Sequence, residues 1–393
     1  MKVPDIPKED NSLNDMTVYR KKQKRIRLIR NLIIFVVVIT IGVLVYVFRN
    51  EIAEPFRGIA NRFGSQSAEG QGFPVRLPGS SQYKLLPVGD NFALITDTYF
   101  YTYNSAGGQN IAVQHGYVNP AAVTNAKRTL IYDRGGHDFA VYSANAEIFK
   151  LSIDDEVIVS AYIGDNDKVA VVTSGGRYSN VVYVYDGSGK WLYTRKFIDE
   201  NVMQADFSDD EKFMFLTLVR SDNGNIITDL CKYDISSEDN ELWKYSISDG
   251  LPYGLDVNGD IVTVIGDNAA YSINSDDGKQ NGSYAYNGEL LDFDIGNNAN
   301  VLVLDYYTGE GKTVTVLDKC CAETKTVSDY DLISEILISD GEICILSGRD
   351  MFRTDLELSV QKETRLEQDF SSFIKVGSMY LMLGYDTISQ ADL

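Results

Sequence analysis

From about residue 82 onward the chain alternates apolar and polar positions in short runs, broken every ten residues or so by Gly, Asn, Asp or Ser. Val181 to Phe197, VVYVYDGSGKWLYTRKF, shows the unit: a period-two stretch, the break Asp-Gly-Ser-Gly-Lys, and a second stretch opening on Trp191. Successive side chains of a strand point to opposite faces, so the alternation predicts a strand with one buried face. Gly accepts positive φ and Asp hydrogen-bonds back to its own backbone, which is what a tight turn requires. The pair is predicted to be a β-hairpin. Alone in water it is marginal, so its apolar face needs a partner.

The unit recurs in YFYTYNSAGGQNIAVQH (Tyr99 to His115), FAVYSANAEIFKLSI (Phe139 to Ile153), DLCKYDISSEDNELWKYSI (Asp229 to Ile247), AAYSINSDDGKQNGSYAY (Ala269 to Tyr286), KTVTVLDKCCAETKTV (Lys312 to Val327) and, more loosely, MFRTDLELSVQKETRL (Met351 to Leu366). Each first strand ends in Tyr or an aliphatic residue followed by Asp, Ser or Asn. Upstream of the hairpins stand runs that are apolar almost throughout, starting at Asn91, Thr129, Lys168, Lys212, Asp260, Asn300, Glu342 and Ser378, at intervals of 38, 39, 44, 48, 40, 42 and 36 residues. Further short strands such as AAVT, IVSAYI and QADF precede several of them.

Four strands about every forty residues is the period of a propeller blade. The predicted fold is all-β, an eight-bladed β-propeller over residues 72–393, with seven blades as the alternative because the repeat around Asp355 and the last repeat are irregular. The last repeat offers three strands, SSFIKVG, YLMLGYD and TISQADL, while GFPVRLPG (Gly72 to Gly79) is a strand without a hairpin partner. The strand at 72–79 is expected to complete the final blade and close the ring, leaving no unpaired edge. No helical period persists after Phe63, and two sandwiches would not produce a period near forty.

Hydropathy separates a different region ahead of the propeller. Leu32 to Phe48, LIIFVVVITIGVLVYVF, carries no charge, and fourteen of its seventeen residues are Leu, Ile, Val or Phe. Insertion of such a segment into a bilayer is favourable by about 6 kcal/mol, and its helical length of about 26 Å approaches the hydrocarbon thickness. A single transmembrane helix is predicted over 31–48. VYVFRNEIAEPF lacks a small-x-small cleavage pattern, so the segment reads as an uncleaved anchor. Seven Lys and Arg from Arg20 to Arg30 precede it, which places the N-terminus in the cytoplasm and the remainder outside the cell membrane. Residues 1–30 read as a basic, disordered cytoplasmic tail and 49–71 as a juxtamembrane stem.

Charge sharpens the division. The whole chain carries −20, but residues 1–48 hold nine Lys/Arg against four Asp/Glu, so the remainder carries −25. Such an acidic surplus opposes nucleic-acid binding by the propeller.

The turns YDGSGKWLYTRKF and YDISSEDNELWKYSI resemble the quinoprotein-type (PQQ-like, YVTN-like) propeller repeat, in which a strand ends in Asp, a Gly-Lys turn follows and Leu-Trp opens the outer strand. With one anchor in front, the chain is also similar to an uncharacterised bacterial family of membrane-anchored propellers. The quinoprotein resemblance implies a cofactor stacked on a Trp and a calcium held by Glu, Asn and Asp. Trp191 and Trp243, the two tryptophans, open outer strands away from the axis, and no ligand set maps onto the chain. No cofactor is therefore expected. Adjacent bonded cysteines occur in that class, but Cys320 and Cys321 fall in a hairpin turn, where a bond between neighbours would close a strained ring.

Cys231 and Cys344 lie in predicted strands and read as apolar fillers. His115 follows an outer strand and His137 sits in a Gly-Gly turn, with no third residue to complete a triad. The acidic turns DNDK (Asp165 to Lys168), SDDEK (Ser208 to Lys212), DVNGD (Asp256 to Asp260) and NSDDGK (Asn274 to Lys279) match no calcium loop and read as solvated turns. Asn281-Gly-Ser is a glycosylation triplet that matters only in a secretory pathway with that chemistry. No catalytic, metal or cofactor residue is assigned.

The expected function is that of a membrane-anchored extracytoplasmic, non-catalytic module that offers a protein or cell-wall polymer its axial face. The alternative is a quinoprotein-like enzyme or small-ligand sensor using the central channel. A third reading is a transducer whose tail around Tyr19 recruits a partner.

Overall fold

The nearly continuous apolar runs that set the period become the second strand of each of eight four-stranded antiparallel sheets. A strand covered on both faces has no solvent side to alternate towards, and these strands are covered by the blades on either side. Asn91–Thr96 is buried from its second residue on, and Ala299–Asp305 is buried up to its last. The outermost strands Glu147–Ser152 and Gln280–Ala285 alternate instead, because only one face packs. The structure, a computed structural model, describes residues 70, 72–80, 82–237, 241–248, 250–307, 311–330 and 332–392. The basic tail and the apolar segment Leu32 to Phe48, with residues 49–69 of the stem, lie outside them. Among the described residues no helix is long and apolar enough to cross a membrane.

In chain order the innermost strands of blades 1 to 8 are Tyr83–Val88, Pro120–Thr124, Val157–Ile163, Asn201–Phe207, Pro252–Asn258, Glu289–Ile295, Glu335–Ser339 and Ser372–Val376. The eight-bladed count is the one observed. Apolar clusters among the described residues occupy all eight seams between neighbouring blades. At the seam between blades 3 and 4, Val172 and Val184 meet Leu216 and Tyr233. At the seam where blade 8 meets blade 1, Phe92 and Leu94 meet Ile374, Leu381 and Ile388. Each large side chain buried this way contributes about 1.5–3 kcal/mol.

The fourth strand of blade 8 comes from the other end of the repeat region. Val75 and Arg76 pair with Ile388 and Thr387, and the Leu77 N–H donates to the Asp386 carbonyl at 2.8 Å. This pairing is shorter than GFPVRLPG would allow, yet Phe73, Val75 and Leu77 all pack on the last seam.

In blades 1 to 7 the residue at the end of the third strand, or directly after it, has a physical duty. Asn104, Ser143, Asp186, Asp234, Asn274, Asp318 and Asp355 each accept, through the side chain, the N–H two residues on. These turns then press against the outer strand of the preceding blade. A Cβ on Gly189 would lie 2.8 Å from the Phe149 ring, and one on Gly278 would lie 2.7 Å from Trp243. Both glycines also hold positive φ, at 84° and 70°.

Candidate functional site

The inner edges of the blades line the central channel, and four consecutive blades depart there from regular pairing in the same way. In blades 3, 4, 5 and 6 the inner strand carries one extra residue opposite the second strand, between Ile158 and Ser160, Val202 and Gln204, Pro252 and Gly254, and Leu290 and Asp292. The residues so bulged are Val159, Met203, Tyr253 and Leu291, which are 38%, 37%, 49% and 46% exposed. A β-bulge bends the strand locally and re-aims a side chain. Here it leaves an apolar side chain in water on each of four adjacent blades, near the strand's start and so towards one mouth of the channel. The inner strands of blades 1, 2, 7 and 8 pair with no such shift.

Beyond the bulges the registers coincide, and Tyr162, Asp206, Asp256 and Asp294 occupy equivalent positions. Three of the four are carboxylates, and Asp292 and Glu335 join them from blades 6 and 7. All five acids are half-buried. Burial chiefly, then neighbouring like charges, raises Asp206 to about 7, Asp256 to about 6, Asp294 to about 6 and Glu335 to about 7, and burial also raises Asp292. Among the described residues none of the five forms an ion pair. Lys84 of blade 1 stands on the other side of the ring, where it donates to the Ala122 carbonyl at 3.2 Å, and burial followed by the charge of Arg134 lowers its pKa.

Four of the five carboxylates hold the ring together. An innermost strand has a free edge, and its unpaired N–H groups need acceptors. Asp206 accepts from Val257 of the next blade at 2.8 Å, Asp292 from Ile336 at 3.2 Å, Asp294 from Ile338 at 2.7 Å and Glu335 from Phe373 at 2.6 Å. Asp206, Asp292 and Asp294 also accept the N–H of their own following residue. Asp256 accepts no hydrogen bond from the described residues; Asp165 and Asp209 add to the negative charge around it. Among the described residues no group of three or more His, Cys, Asp or Glu is disposed to hold a metal ion.

The acidic turns read from sequence divide into two kinds. Asp210 and Asp277 are solvated, each paired with a nearby lysine. Glu211 of the same SDDEK is not a solvated residue. Its side chain is 2% exposed, accepts the Asn166 N–H of blade 3 at 2.7 Å and lies 3.6 Å from the Lys168 ammonium. Asp167 likewise bridges blades, bound by Arg128 at 3.1 Å and Asn125 at 3.0 Å. Asp256 belongs to the inner strand rather than to a turn.

All four cysteines are free thiols: Cys231, Cys321 and Cys344 are buried and Cys320 is exposed. Cys320 and Cys321 are plain turn residues, with Cys321 at a φ of 57°. His115 is buried, its ring accepting the Tyr117 N–H and contacting the Thr96 carbonyl, while His137 is exposed beside the Glu156 carbonyl. Trp191 and Trp243 lie on outermost strands, where Trp191 donates to Thr194 and Trp243 to the Ser275 carbonyl. Asn281 is on the outermost strand of blade 5. None of these residues reaches the channel acids.

Eight blades closed by a strand from the opposite end of the repeat region define the class, an eight-bladed β-propeller. The chain belongs to the DUF5711 family, a family of unknown function whose pattern matches residues 76–393. No curated protein matches it in sequence. Among solved structures it is similar in fold to BamB from Moraxella catarrhalis, with 11% identity and a TM-score of 0.56 over 82% of this chain and 99% of that one. Sqt1 from Saccharomyces cerevisiae is similar at 9% identity and a TM-score of 0.59, over 84% of this chain and 100% of that one. Apo AztD from Citrobacter koseri follows at 11% identity and 0.51, over 75% and 88%.

Proposed function

We propose that this protein is a propeller held on the outer side of the cell membrane by a single helix, Leu32 to Phe48, with its N-terminus in the cytoplasm, and that it acts without catalysis as a docking module for an envelope protein or polymer. The observation that carries the docking reading is the crescent of Val159, Met203, Tyr253 and Leu291, exposed on four adjacent inner strands. Apolar side chains grouped in water on a rigid frame favour association, and four of the five channel acids are engaged in joining blades. The anchor and its orientation rest on the uncharged apolar run and the basic residues before it. The folds of BamB and Sqt1 add the architecture alone.

The topology is tested through Cys320, the exposed member of the four cysteines. A membrane-impermeant maleimide added to intact cells is expected to label the protein, and Cys320→Ser to abolish the label. Labelling that needs lysed cells puts the propeller inside and ends the extracytoplasmic reading. For docking, a photo-reactive residue in place of Met203 is expected to cross-link a partner that one in place of Ser378, at a turn on the opposite rim, does not. The runner-up, a channel enzyme or sensor, draws on the raised carboxylates, since perturbed acids gather at reactive sites. Metal analysis and an ultraviolet-visible spectrum of the purified protein decide that point.

A further inference from the structure

Resting on the docking reading above, we infer that the bulged half of the channel mouth receives a peptide segment in which a lysine or arginine is flanked by apolar side chains. Two features of the channel wall carry this choice of occupant.

The first is that the bulges are not needed to build a blade. Blades 1, 2, 7 and 8 complete the same four-stranded sheet with an unshifted inner pair. Four consecutive repeats nevertheless carry the extra residue at one register position, and in each of them it is apolar and at least 37% exposed. An extra residue that weakened the ladder with nothing in return would leave each blade with an unpaired position and a hydrophobic side chain in water. The crescent they form covers one side of the mouth and stops there, which suits a short extended segment lying along the wall.

The second feature is uncompensated charge beside the crescent. Asp292 directly follows Leu291, and Glu335 stands next to Ile336, whose N–H Asp292 caps. The acids therefore begin at the crescent itself. They continue to Asp206, Asp256 and Asp294, three residues further along their strands, or roughly 10 Å at the rise of a β-strand. Each carboxylate has room for about four acceptor interactions; Asp206, Asp292 and Asp294 each use two, Glu335 one and Asp256 none. An incoming ammonium or guanidinium would meet several acceptors that, among the described residues, are paired with no cation. Lys84 of blade 1 stands across the ring, and Arg134 of blade 2 acts on both Lys84 and Tyr162, so the cations of the channel lie at the blade-3 end of the crescent, away from Asp256, Asp292 and Asp294. An anionic or purely polar segment gains from neither feature, and an uncharged apolar one leaves the carboxylates dehydrated and unpaired.

The test uses the full chain in nanodiscs of phosphatidylcholine, with empty discs as background, and fluorescence anisotropy of short labelled peptides. A peptide alternating leucine and lysine is expected to bind saturably; one alternating leucine and glutamate, and one alternating serine and lysine, are expected to bind at least about ten-fold more weakly. Asp256→Asn combined with Asp294→Asn, and separately Tyr253→Ser combined with Leu291→Ser, should each weaken the leucine-lysine peptide by about ten-fold or more. Asp256 accepts no hydrogen bond from the described residues, and at 294 the asparagine oxygen can keep the Ile338 N–H that joins the blades while giving up the Ile295 N–H; a melting temperature no lower than that of the wild type confirms that the ring persists, and Asp256→Asn alone serves if the double variant melts early. Equal binding of the glutamate peptide, equal binding of the serine-lysine peptide, wild-type affinity in either variant, or no binding to the wild type overturns the inference. Cross-linking at Met203 with no peptide binding would remove this chemistry and leave the docking reading; absence of both would remove the two together.

Discussion

The inner strands of blades 3 to 6 and those of blades 7, 8, 1 and 2 occupy the same place in the ring and are built differently. In the second group the inner and second strands pair residue for residue, as Pro120–Thr124 does with Arg128–Asp133. In the first group one residue in each inner strand stands outside the ladder and is exposed. The regular half shows what the fold requires, and the bulged half shows what has been added to it. Removing one residue from each half separates the two most strongly. Deletion of Ala122 slips the register of a regular strand and turns its buried side chains to the wrong face, with an expected loss of about 4 kcal/mol or more, or no folded protein. Deletion of Met203 leaves Val202 and Gln204 opposite Leu218 and Thr217 as before, and forfeits the Tyr162 hydroxyl's bond to the Met203 carbonyl. Its expected effect is about 1 kcal/mol. Urea unfolding followed by tryptophan fluorescence measures both, and equal losses would make the bulges structural.

The next contrast lies within the bulged half, between two carboxylates at equivalent register positions. Asp206 caps the N–H of Val257, and Asp256 caps no N–H among the described residues. Asp206→Ala strands a buried donor at the joint of blades 4 and 5, and is expected to destabilise by about 1–3 kcal/mol. Asp256→Ala removes a like charge from Asp206 and Asp294 and should leave stability unchanged or raised. If both variants lose stability equally in urea, the latch is not what distinguishes them.

How much of this was legible in the sequence follows from what each feature does to the residue pattern. Second strands are covered on both faces, so NFALIT and NVLVLD stand out as nearly unbroken apolar runs, and their spacing counts the blades. The turn caps were visible for the same reason, because Asp186 and Asp234 act on residues only two places away. The latches were not. Glu211 in SDDEK looks like any turn acid until the neighbouring blade is in place, since its partners Asn166 and Lys168 lie 45 and 43 residues away in sequence; Asp256 in DVNGD, though no latch, is hidden in the same way, because its burial depends on the strand it belongs to and the blades beside it. Bulges are less visible still: MQAD and LDFD alternate plausibly in either register, and the extra residue exists only relative to the strand it faces.

Four of the five channel acids lie on the bulged half, with Glu335 at the start of the innermost strand of blade 7, and they add a contrast in pH. Asp206, Asp256, Asp294 and Glu335 are raised to about 6 or 7 in the folded protein, above ordinary carboxylates. Their protonated forms are favoured by the fold, so their ionisation opposes folding fully above about pH 7, and that penalty is relieved as pH falls towards about 4. Asp256 feels Asp165 and Asp209, Asp206 feels Asp256 and Asp165, and Asp294 feels Asp292 and Asp256, with no cation among the causes. The melting temperature is expected to rise by a few degrees between about pH 8 and pH 6. Asp256→Asn should melt higher at the alkaline end and show a shallower slope. A melting temperature that falls over this interval, or a slope untouched by the substitution, would show that the channel acids carry no net penalty.

The smallest expected effect concerns a position where two turns, at Cys321 and Leu358, keep a side chain that two others exclude. Cys321 has the left-handed backbone that Gly107 and Gly189 hold three residues after Asn104 and Asp186, which directly follow their third strands. Cys321→Gly relieves about 1 kcal/mol of left-handed strain. It also gives up contacts of a buried side chain with Leu302, Leu304 and Leu317 and loosens the unfolded chain. These oppose each other, and the net change in urea is expected within about 1 kcal/mol of zero. Gly189→Ala has no such compensation: the new Cβ meets the Phe149 ring at 2.8 Å with φ at 84°, and about 1–3 kcal/mol should be lost. Cys321 is tolerated because blades 5 and 6 give its thiol an apolar seat, and Gly189 is demanded because blade 2 fills the same space with an aromatic ring; a Gly189→Ala variant as stable as the wild type would refute that account of the seam.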